Sequence, residues 1–287
     1  MKLSFDCDRG SATKAAFGLI LLSVDETIES EFRPLFDQEG VSLLHARIES
    51  ASEVTSEKLM QMKARLTDTA ALLPGTRPLD VIAYACTSGA TVIGSDQVAG
   101  AIQATHPGAR VTDPARAVVA ALAHLGVSRI AIVSPYVEEV SDALCRLLEE
   151  NGITPLSVGS FGQAEEAVVA RISLQSVEEA ICEVGKDPEI EAVFASCTNL
   201  RTLPVIEACE KRLSKPVISS NLALAWHMMH LADLPTTDRG PGRLFATRPA
   251  KNEHIHARTQ GCRRSSFGEI AEAAAIRLFP NGINSFT

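Results

Sequence analysis

Eight short apolar runs alternate along the chain with stretches whose apolar residues recur at helical spacing. Continuous apolar runs of strand length, separated by helical segments, mark βαβ units around a mainly parallel sheet. Strands are expected near 17–23, 41–46, 80–85, 109–112, 129–134, 153–158, 191–196 and 216–219, with helices between them. FRPLFDQEG (32–40) and LCRLLEENG (144–152) each read as a helix closing on a glycine before a new strand.

The pattern occurs twice. GLILLSVDE (18–26) aligns with IAIVSPYVE (130–138) and Gly40 with Gly152 at an offset of 112, and Cys86 aligns with Cys197 at 111. A period this long is no solenoid repeat; it implies a duplicated α/β lobe. DVIAYACTSGA (80–90) and EAVFASCTNLRT (191–202) make the same move: an acid opens the stretch, an apolar run follows, and the run breaks at Cys-Thr. Ligands of open parallel sheets sit beyond the carboxyl ends of the strands. Two lobes facing each other would therefore bring both cysteines to one cleft.

Composition narrows the function. At 287 residues and 46% hydrophobic content the chain can bury a large core. A formal charge of −8 argues against nucleic-acid binding, which needs a basic field. No run of eighteen apolar residues occurs and MKLSFDCDRG has no signal-peptide segment, so a cytoplasmic protein with no membrane partner is expected. Seven cysteines without a C-x-x-C disfavour a disulfide framework or a cysteine-rich zinc site, and Cys145, Cys182 and Cys209 read as small apolar residues of helices. G-x-G-x-x-G, P-loop, G-x-S-x-G and H-E-x-x-H patterns are all missing, which points to chemistry without a cofactor. His227 and His230 with Met228 and Met229 read as an apolar core helix, and His254, His256 and Cys262 match no common metal spacing, so no metal is expected.

The paired cysteines are the chemical signal. A strand-end cysteine that opens a helix lies beside free N–H groups and the positive end of the helix dipole, which favours thiolate. The residues after Cys86 and after Cys197 both read as helices. Thr87, Ser88, Thr198 and Asn199 add short donors suited to a carboxylate or an enolate oxyanion. Two thiols flanking one carbon, one ionised and one not, can move a proton between its faces and so invert a stereocentre. The same pair can add a thiolate to an activated double bond and isomerise it.

At these residues the sequence resembles the Asp/Glu racemase superfamily, in the branch of maleate isomerases, arylmalonate decarboxylases and the racemase-like proteins of ectoine utilisation. The resemblance is carried by LLSVDET (21–27), ACTSG (85–89), VSPY (133–136), SCTNLRT (196–202), ISSNLALAWH (218–227) and GPGRLF (240–245), the last two closest to the ectoine-utilisation group. It implies two pseudo-symmetric lobes, each a mainly parallel sheet flanked by helices, with the site between them. The expected division is 1–113 plus 221–245 for the N-terminal lobe and 114–220 for the second. Residues 246–287 lie beyond the resemblance and read as a basic arm with a short C-terminal helix, which could dock on a second subunit of a homo-oligomer.

The resemblance also implies that Cys86 and Cys197 are the catalytic pair, that Thr87, Ser88, Thr198 and Asn199 hold a carboxylate, and that Tyr136 donates a hydrogen bond to substrate. Asp25 stands where maleate isomerases commonly have asparagine, and an ionised Asp25 would suit a cationic nitrogen better than a second carboxylate. The expected activity is a cofactor-independent isomerase or racemase of a small carboxylic acid in ectoine or hydroxyectoine catabolism. The alternatives are a maleate cis-trans isomerase, an arylmalonate-type decarboxylase using Cys197, and a non-catalytic ligand-binding protein. Retention of Cys86 weighs against the decarboxylase, and Asn199, where glutamate racemases carry histidine, weighs against that amino-acid racemisation.

Overall fold

A computed structural model of the chain describes residues 1–8 and 10–246. Apart from Ala246, the expected basic arm and C-terminal helix, with His254, His256 and Cys262, lie outside the described residues. The first sheet contains β1 (Ala15–Leu22), β2 (Val41–Ile48), β3 (Val81–Ala85) and β4 (Arg110–Thr112) in the order β2-β1-β3-β4. The second contains β5 (Arg129–Tyr136), β6 (Thr154–Gln163), β7 (Ala192–Ala195) and β8 (Val217–Ser219) in the order β6-β5-β7-β8. Every pairing in both sheets is parallel. The same strand order occurs twice, as the sequence repeat requires.

Helices flank both sheets. The first half carries α1 (Ile28–Phe36), α2 (Ser56–Gln61), α3 (Leu66–Ala70), α4 (Thr87–Ile93), α5 (Ser95–Gln103) and α6 (Pro114–Leu125). The second carries α7 (Glu138–Glu150), α8 (Glu166–Val169), α9 (Leu174–Val184), α10 (Ile206–Leu213), α11 (Ser220–Leu231) and α12 (Gly242–Ala246). The fold is α/β, as expected, and among the described residues no helix is long and apolar enough to cross a membrane.

All eight expected strands form, and the central ones show why. Every residue of β1, β3 and β7 is buried, the outcome for a continuous apolar run covered on both faces. Edge strand β6 is half exposed throughout and continues to Gln163, past the expected end, with irregular register against β5. The helix expected to close at Gly40 stops at Phe36. Gly40 instead forms the turn before β2 at a φ of 80°, as Gly152 does before β6 at 76°, conformations that favour glycine.

The acid that opens each cysteine strand has a structural task. Asp80 Oδ2 accepts the Ala16 N–H at 2.8 Å, and Glu191 Oε2 accepts those of Ser128 and Arg129 at 2.8 and 3.0 Å. Each carboxylate thus holds the beginning of the neighbouring central strand. That tie fixes the register that delivers a cysteine to the far end of the sheet.

Helix α11 is buried from Ser220 to Met229, so its all-round apolar sequence is that of a core helix. Ser219 caps it, Oγ accepting the Leu222 N–H at 3.1 Å. It packs against α6, β3, β4 and α1. His227 of this helix is buried and shares a 2.7 Å hydrogen bond between Nδ1 and Thr112 Oγ1. Burial, with His230 and Arg116 nearby, lowers its pKa from 6.5 to about 4. The folded chain therefore keeps His227 neutral while the unfolded chain takes up a proton below 6.5, so stability present at neutral pH is lost as pH falls toward 4. The shift corresponds to roughly 3 kcal/mol. In urea melts at about pH 7.5 and about pH 4.5, His227→Gln should lose about 2–3 kcal/mol less across the interval than the parent protein; equal losses would show that His227 is not held neutral.

Candidate active site

The two Cys-Thr turns leave the carboxyl ends of β3 and β7. Cys86 is the N-cap of α4, and its Sγ accepts the Gly89 N–H at 3.2 Å. A Cβ on Gly89 would lie 2.4 Å from Tyr84 Oη and 3.0 Å from Cys86 Sγ, so only glycine lets the helix start this close to the sulfur. Leu21 pairs with Ala85 in the first sheet and Val133 with Ala195 in the second. Cys86 thus directly follows its paired strand residue, whereas Cys197 stands one residue further on.

The second turn departs from the expected form. No α-helix starts at Thr198; the chain runs irregularly to a short 3₁₀ turn at Leu203–Val205, and α10 follows. Glu31 of α1 is the reason the irregular stretch is tolerated: its Oε1 accepts the N–H groups of Thr202 and Leu203 at 2.7 and 2.9 Å. Buried N–H groups that a helix would otherwise use are paired across the halves instead. Cys197 itself adopts a φ of 133°, a conformation costly for a residue with a side chain, of order 1–3 kcal/mol. Its position is overdetermined by neighbours: Ser220 Oγ accepts its N–H at 2.9 Å, Asn199 N–H reaches its Sγ at 3.2 Å, and Tyr136 Oη lies 3.0 Å from Sγ.

Hydrogen bonds join one turn to the other. Ser220 Oγ accepts both the Cys197 N–H and the Thr87 hydroxyl, the latter at 2.8 Å. Thr198 Oγ1 donates to Ala85 O at 3.4 Å, and Asn221 Nδ2 ties Thr198 O to Glu31 Oε2 at 2.8 and 2.7 Å. The eight residues expected at the site are all buried. Cys86, Thr87 and Ser88 lie on one turn and Cys197, Thr198 and Asn199 on the other, with Tyr136 beside Cys197. Asp25 Oδ1 accepts the N–H groups of Thr27 and Ile28 at 2.8 and 2.9 Å, while its buried Oδ2 has no partner within hydrogen-bond distance among the described residues, the Thr198 hydroxyl lying close enough only to favour its charge. Its charge is felt at both sulfurs.

Glu166, Glu31, Ser220 and Asn221 were not expected at the site. Glu166, at the start of α8, is 3% exposed; its Oε1 accepts from Tyr136 Oη at 2.7 Å and its Oε2 from Asn199 Nδ2 at 2.8 Å. Ser220 and Asn221 lie within ISSNLALAWH, which carried the resemblance without suggesting a task for either residue. AEEAVV around Glu166 and the exposed-looking acids of α1 carry no motif, and only the fold gathers them.

Burial governs the electrostatics. It pushes Cys86 up to about 12 and Cys197 well above the usual thiol range, outweighing the backbone N–H groups of Gly89 and Asn199 that favour thiolate. The expectation of lowered thiol pKa values is therefore reversed in this closed state. Burial likewise raises Asp25, Glu31 and Glu166 above the ordinary carboxyl range. Both sulfurs are closed off, at 6% and 3% exposure, and a 780 Å³ cleft bordered by His227 and Leu231 lies away from them. The ties beside Glu166 are a β-bridge from Glu53 to Glu165, the Glu166 N–H bond to Ser52 O, and the Arg171–Glu26 ion pair.

Comparison with known proteins agrees with this geometry. The family model described as Arylmalonate decarboxylase matches residues 52–245. The chain belongs to the arylmalonate decarboxylase family. Within it, the chain is 32% identical to an arylmalonate decarboxylase of Bordetella bronchiseptica over 136 residues, covering 47% of this chain and 57% of that protein. It is 27% identical to a maleate isomerase of Nocardia farcinica over 237 residues, covering 79% of this chain and 94% of that one. A solved structure of the Nocardia farcinica maleate cis-trans isomerase, a cysteine-to-serine mutant with a covalently bound succinylcysteine intermediate, superposes with a TM-score of 0.74 at 25% identity, over 80% of this chain and 98% of that one. These relatives are enzymes, and the family resemblance expected from the motifs is established.

The Ser220 hydroxyl is the joint between the turns. Ser220→Ala would leave the Cys197 N–H and the Thr87 hydroxyl unpaired in a buried place, and should cost about 2 kcal/mol in denaturant melts; a loss below about 0.5 kcal/mol would show that other groups hold the turns together.

Proposed function

We propose that the chain is a cofactor-independent isomerase or racemase that uses Cys86 and Cys197 at the carbon next to the carboxylate of a small acid, in ectoine or hydroxyectoine breakdown. The observation that carries the reading is the direct tie between the two cysteine turns through Ser220 Oγ, at 2.9 Å from Cys197 N and 2.8 Å from Thr87 Oγ1. Two cysteine turns from duplicated strand ends, joined through one hydroxyl, suit approach of their sulfurs to opposite faces of one carbon. One thiolate removes a proton and the other thiol returns one, so the pair needs no cofactor. Thr87, Ser88, Thr198 and Asn199, with the N–H groups of the turns, would hold the carboxylate and stabilise the enolate charge, and Tyr136 would steady the substrate from the Cys197 side. On this reading the lobes are 1–113 plus 221–245 and 114–220, and the packing of α11 on α1, β3 and β4 supports placing it with the first lobe.

Charge supports the nitrogen-bearing class of substrate. Neither the Asp25 nor the Glu166 carboxyl is hydrogen-bonded to a described Lys or Arg, and Asp25 Oδ2 has no partner within hydrogen-bond distance among the described residues. An ammonium or amide N–H on the substrate would satisfy that oxygen and offset the repulsion between the two acids. A second reading, cis-trans isomerisation of maleate, is favoured by the succinylcysteine in the Nocardia farcinica relative. It requires Asp25 to be protonated, so that it donates to the second carboxylate as asparagine would.

Carbon-bound hydrogen exchange in deuterated water, followed across maleate, arylmalonates, diaminobutyrate derivatives and ectoine fragments, separates these readings. Exchange at the carbon next to the carboxylate is expected for a nitrogen-bearing acid, and Cys86→Ser or Cys197→Ser should each lower it about a thousandfold with little loss of fold. Undiminished turnover in Cys86→Ser would reject the two-thiol mechanism, and carbon dioxide release from an arylmalonate in that variant would establish the decarboxylase instead.

A further inference from the structure

The thiol that must ionise lies in a place where ionisation to solvent is unfavourable. Cys197 is 3% exposed, with the carboxyls of Asp25 and Glu166 close enough to oppose a thiolate. Releasing its proton to water would add a negative charge to a pocket that already holds two acids. Yet Cys197 Sγ is 3.0 Å from Tyr136 Oη, and that oxygen is 2.7 Å from Glu166 Oε1. A tyrosine hydroxyl carries one proton and can accept another bond. With its proton directed to Glu166, the Tyr136 oxygen is free to accept the Cys197 S–H.

We infer that Glu166 stores the Cys197 proton, taken through Tyr136, so that the sulfur ionises without exchanging a proton with water. The inference rests on the two-cysteine reading above. The S–H bond of Cys197 breaks as an O–H bond forms at Tyr136, and the original Tyr136 O–H breaks as an O–H forms at Glu166 Oε1. A neutral thiol and a carboxylate become a thiolate and a carboxylic acid, with tyrosine unchanged. The total charge of the pocket stays constant, and the only shift is a negative charge moving from the acid to the sulfur.

The surroundings fit the two end states. Asn199 Nδ2 holds Glu166 Oε2 at 2.8 Å, which aims Oε1 at the tyrosine, and the Asn199 N–H at 3.2 Å from Sγ receives the thiolate. The groups facing this chain of atoms are Asp25 from the loop after β1, with Arg47 and Glu31 beyond it, and Cys86 from the other turn. Tyr84 stands beside Cys86 as Tyr136 stands beside Cys197, but among the described residues its hydroxyl donates to Met62 Sδ at 3.7 Å and to no carboxyl. Among the described residues, the carboxyl link to a sulfur is therefore confined to the Cys197 side. Glu166 acts through Tyr136 and is a positioning residue.

An internal proton transfer has a signature that a structural role lacks: its equilibrium does not depend on pH while Glu166 is ionised at the start. Alkylation of Cys197 by iodoacetamide, followed site by site with mass spectrometry on the full-length protein, should be nearly flat between about pH 6 and about pH 8. In Glu166→Gln, which has no carboxylate to take the proton, it should instead rise about tenfold per pH unit, as for ordinary thiol ionisation. Glu166→Asp should restore part of the flat profile. Tyr136→Phe, which keeps the carboxyl and cuts the chain of atoms, should behave like Glu166→Gln and stands in for it if that variant does not fold. Cys86→Ser should keep the flat Cys197 profile whatever happens to turnover, so failure of the relay and failure of the two-thiol reading are told apart. A Glu166→Gln protein with the parent profile, or a parent protein whose Cys197 labelling already rises tenfold per unit, would overturn the proposal.

Discussion

The Ser220 hydroxyl is the constraint on which the site depends. It is the first residue of α11, it follows β8 of the second sheet, and its oxygen accepts one hydrogen bond from each cysteine turn. A buried oxygen with two donors from opposite halves has few positions in which both bonds are satisfied, and each unsatisfied donor would be costly. The strained φ of Cys197 is affordable because that bond, the Asn199 N–H and the Tyr136 hydroxyl all converge on the same residue. Glu31 completes the joint from the other side by accepting the N–H groups that the missing helix turn leaves behind, and Asn221 Nδ2 donates to Thr198 O and to Glu31.

Closing this joint has an electrostatic consequence. It excludes water from three carboxyls and two thiols at once, and burial raises all five above their ordinary ranges. A pocket in that condition favours moving an existing charge over making a new one. Asp25 Oδ2, without a hydrogen-bond partner among the described residues, can take a donor from the substrate, and the proposed line from Cys197 through Tyr136 to Glu166 would let charge move between acid and sulfur. The two features suit proton chemistry at a carbon held between the sulfurs, with substrate supplying the groups that the protein leaves unpaired.

Much of this was legible in the chain. Apolar runs of strand length located all eight strands, because buried parallel strands carry continuous apolar sequence, and the offset between Cys86 and Cys197 disclosed the duplicated strand order. Asp80 and Glu191 were visible as matched acids, though their task of anchoring neighbouring strands appears only in the hydrogen bonds. The helix after Cys197 was misread because LRTLPVIEACEKRL has helical spacing throughout, while Glu31, far away in sequence, satisfies the N–H groups that let the first part stay irregular. Glu166 was invisible for a related reason. A charged residue in AEEAVV reads as solvated surface unless the fold is known to bury it against Tyr136 and Asn199. The lowered thiol pKa values inferred from helix termini failed because the dipole argument counts N–H groups and omits loss of water.

The central claim is that two sulfurs work on opposite faces of a single carbon. It is tested most directly by the isotope content of both enantiomers early in a reaction run in deuterated water from one enantiomer of an exchanging acid. Two sulfurs acting in turn predict that newly formed product carries deuterium from the donating thiol while the remaining substrate stays unlabelled. Deuterium appearing equally in recovered substrate and product, or product that keeps the original hydrogen, would mean that one group serves both faces and would contradict the account.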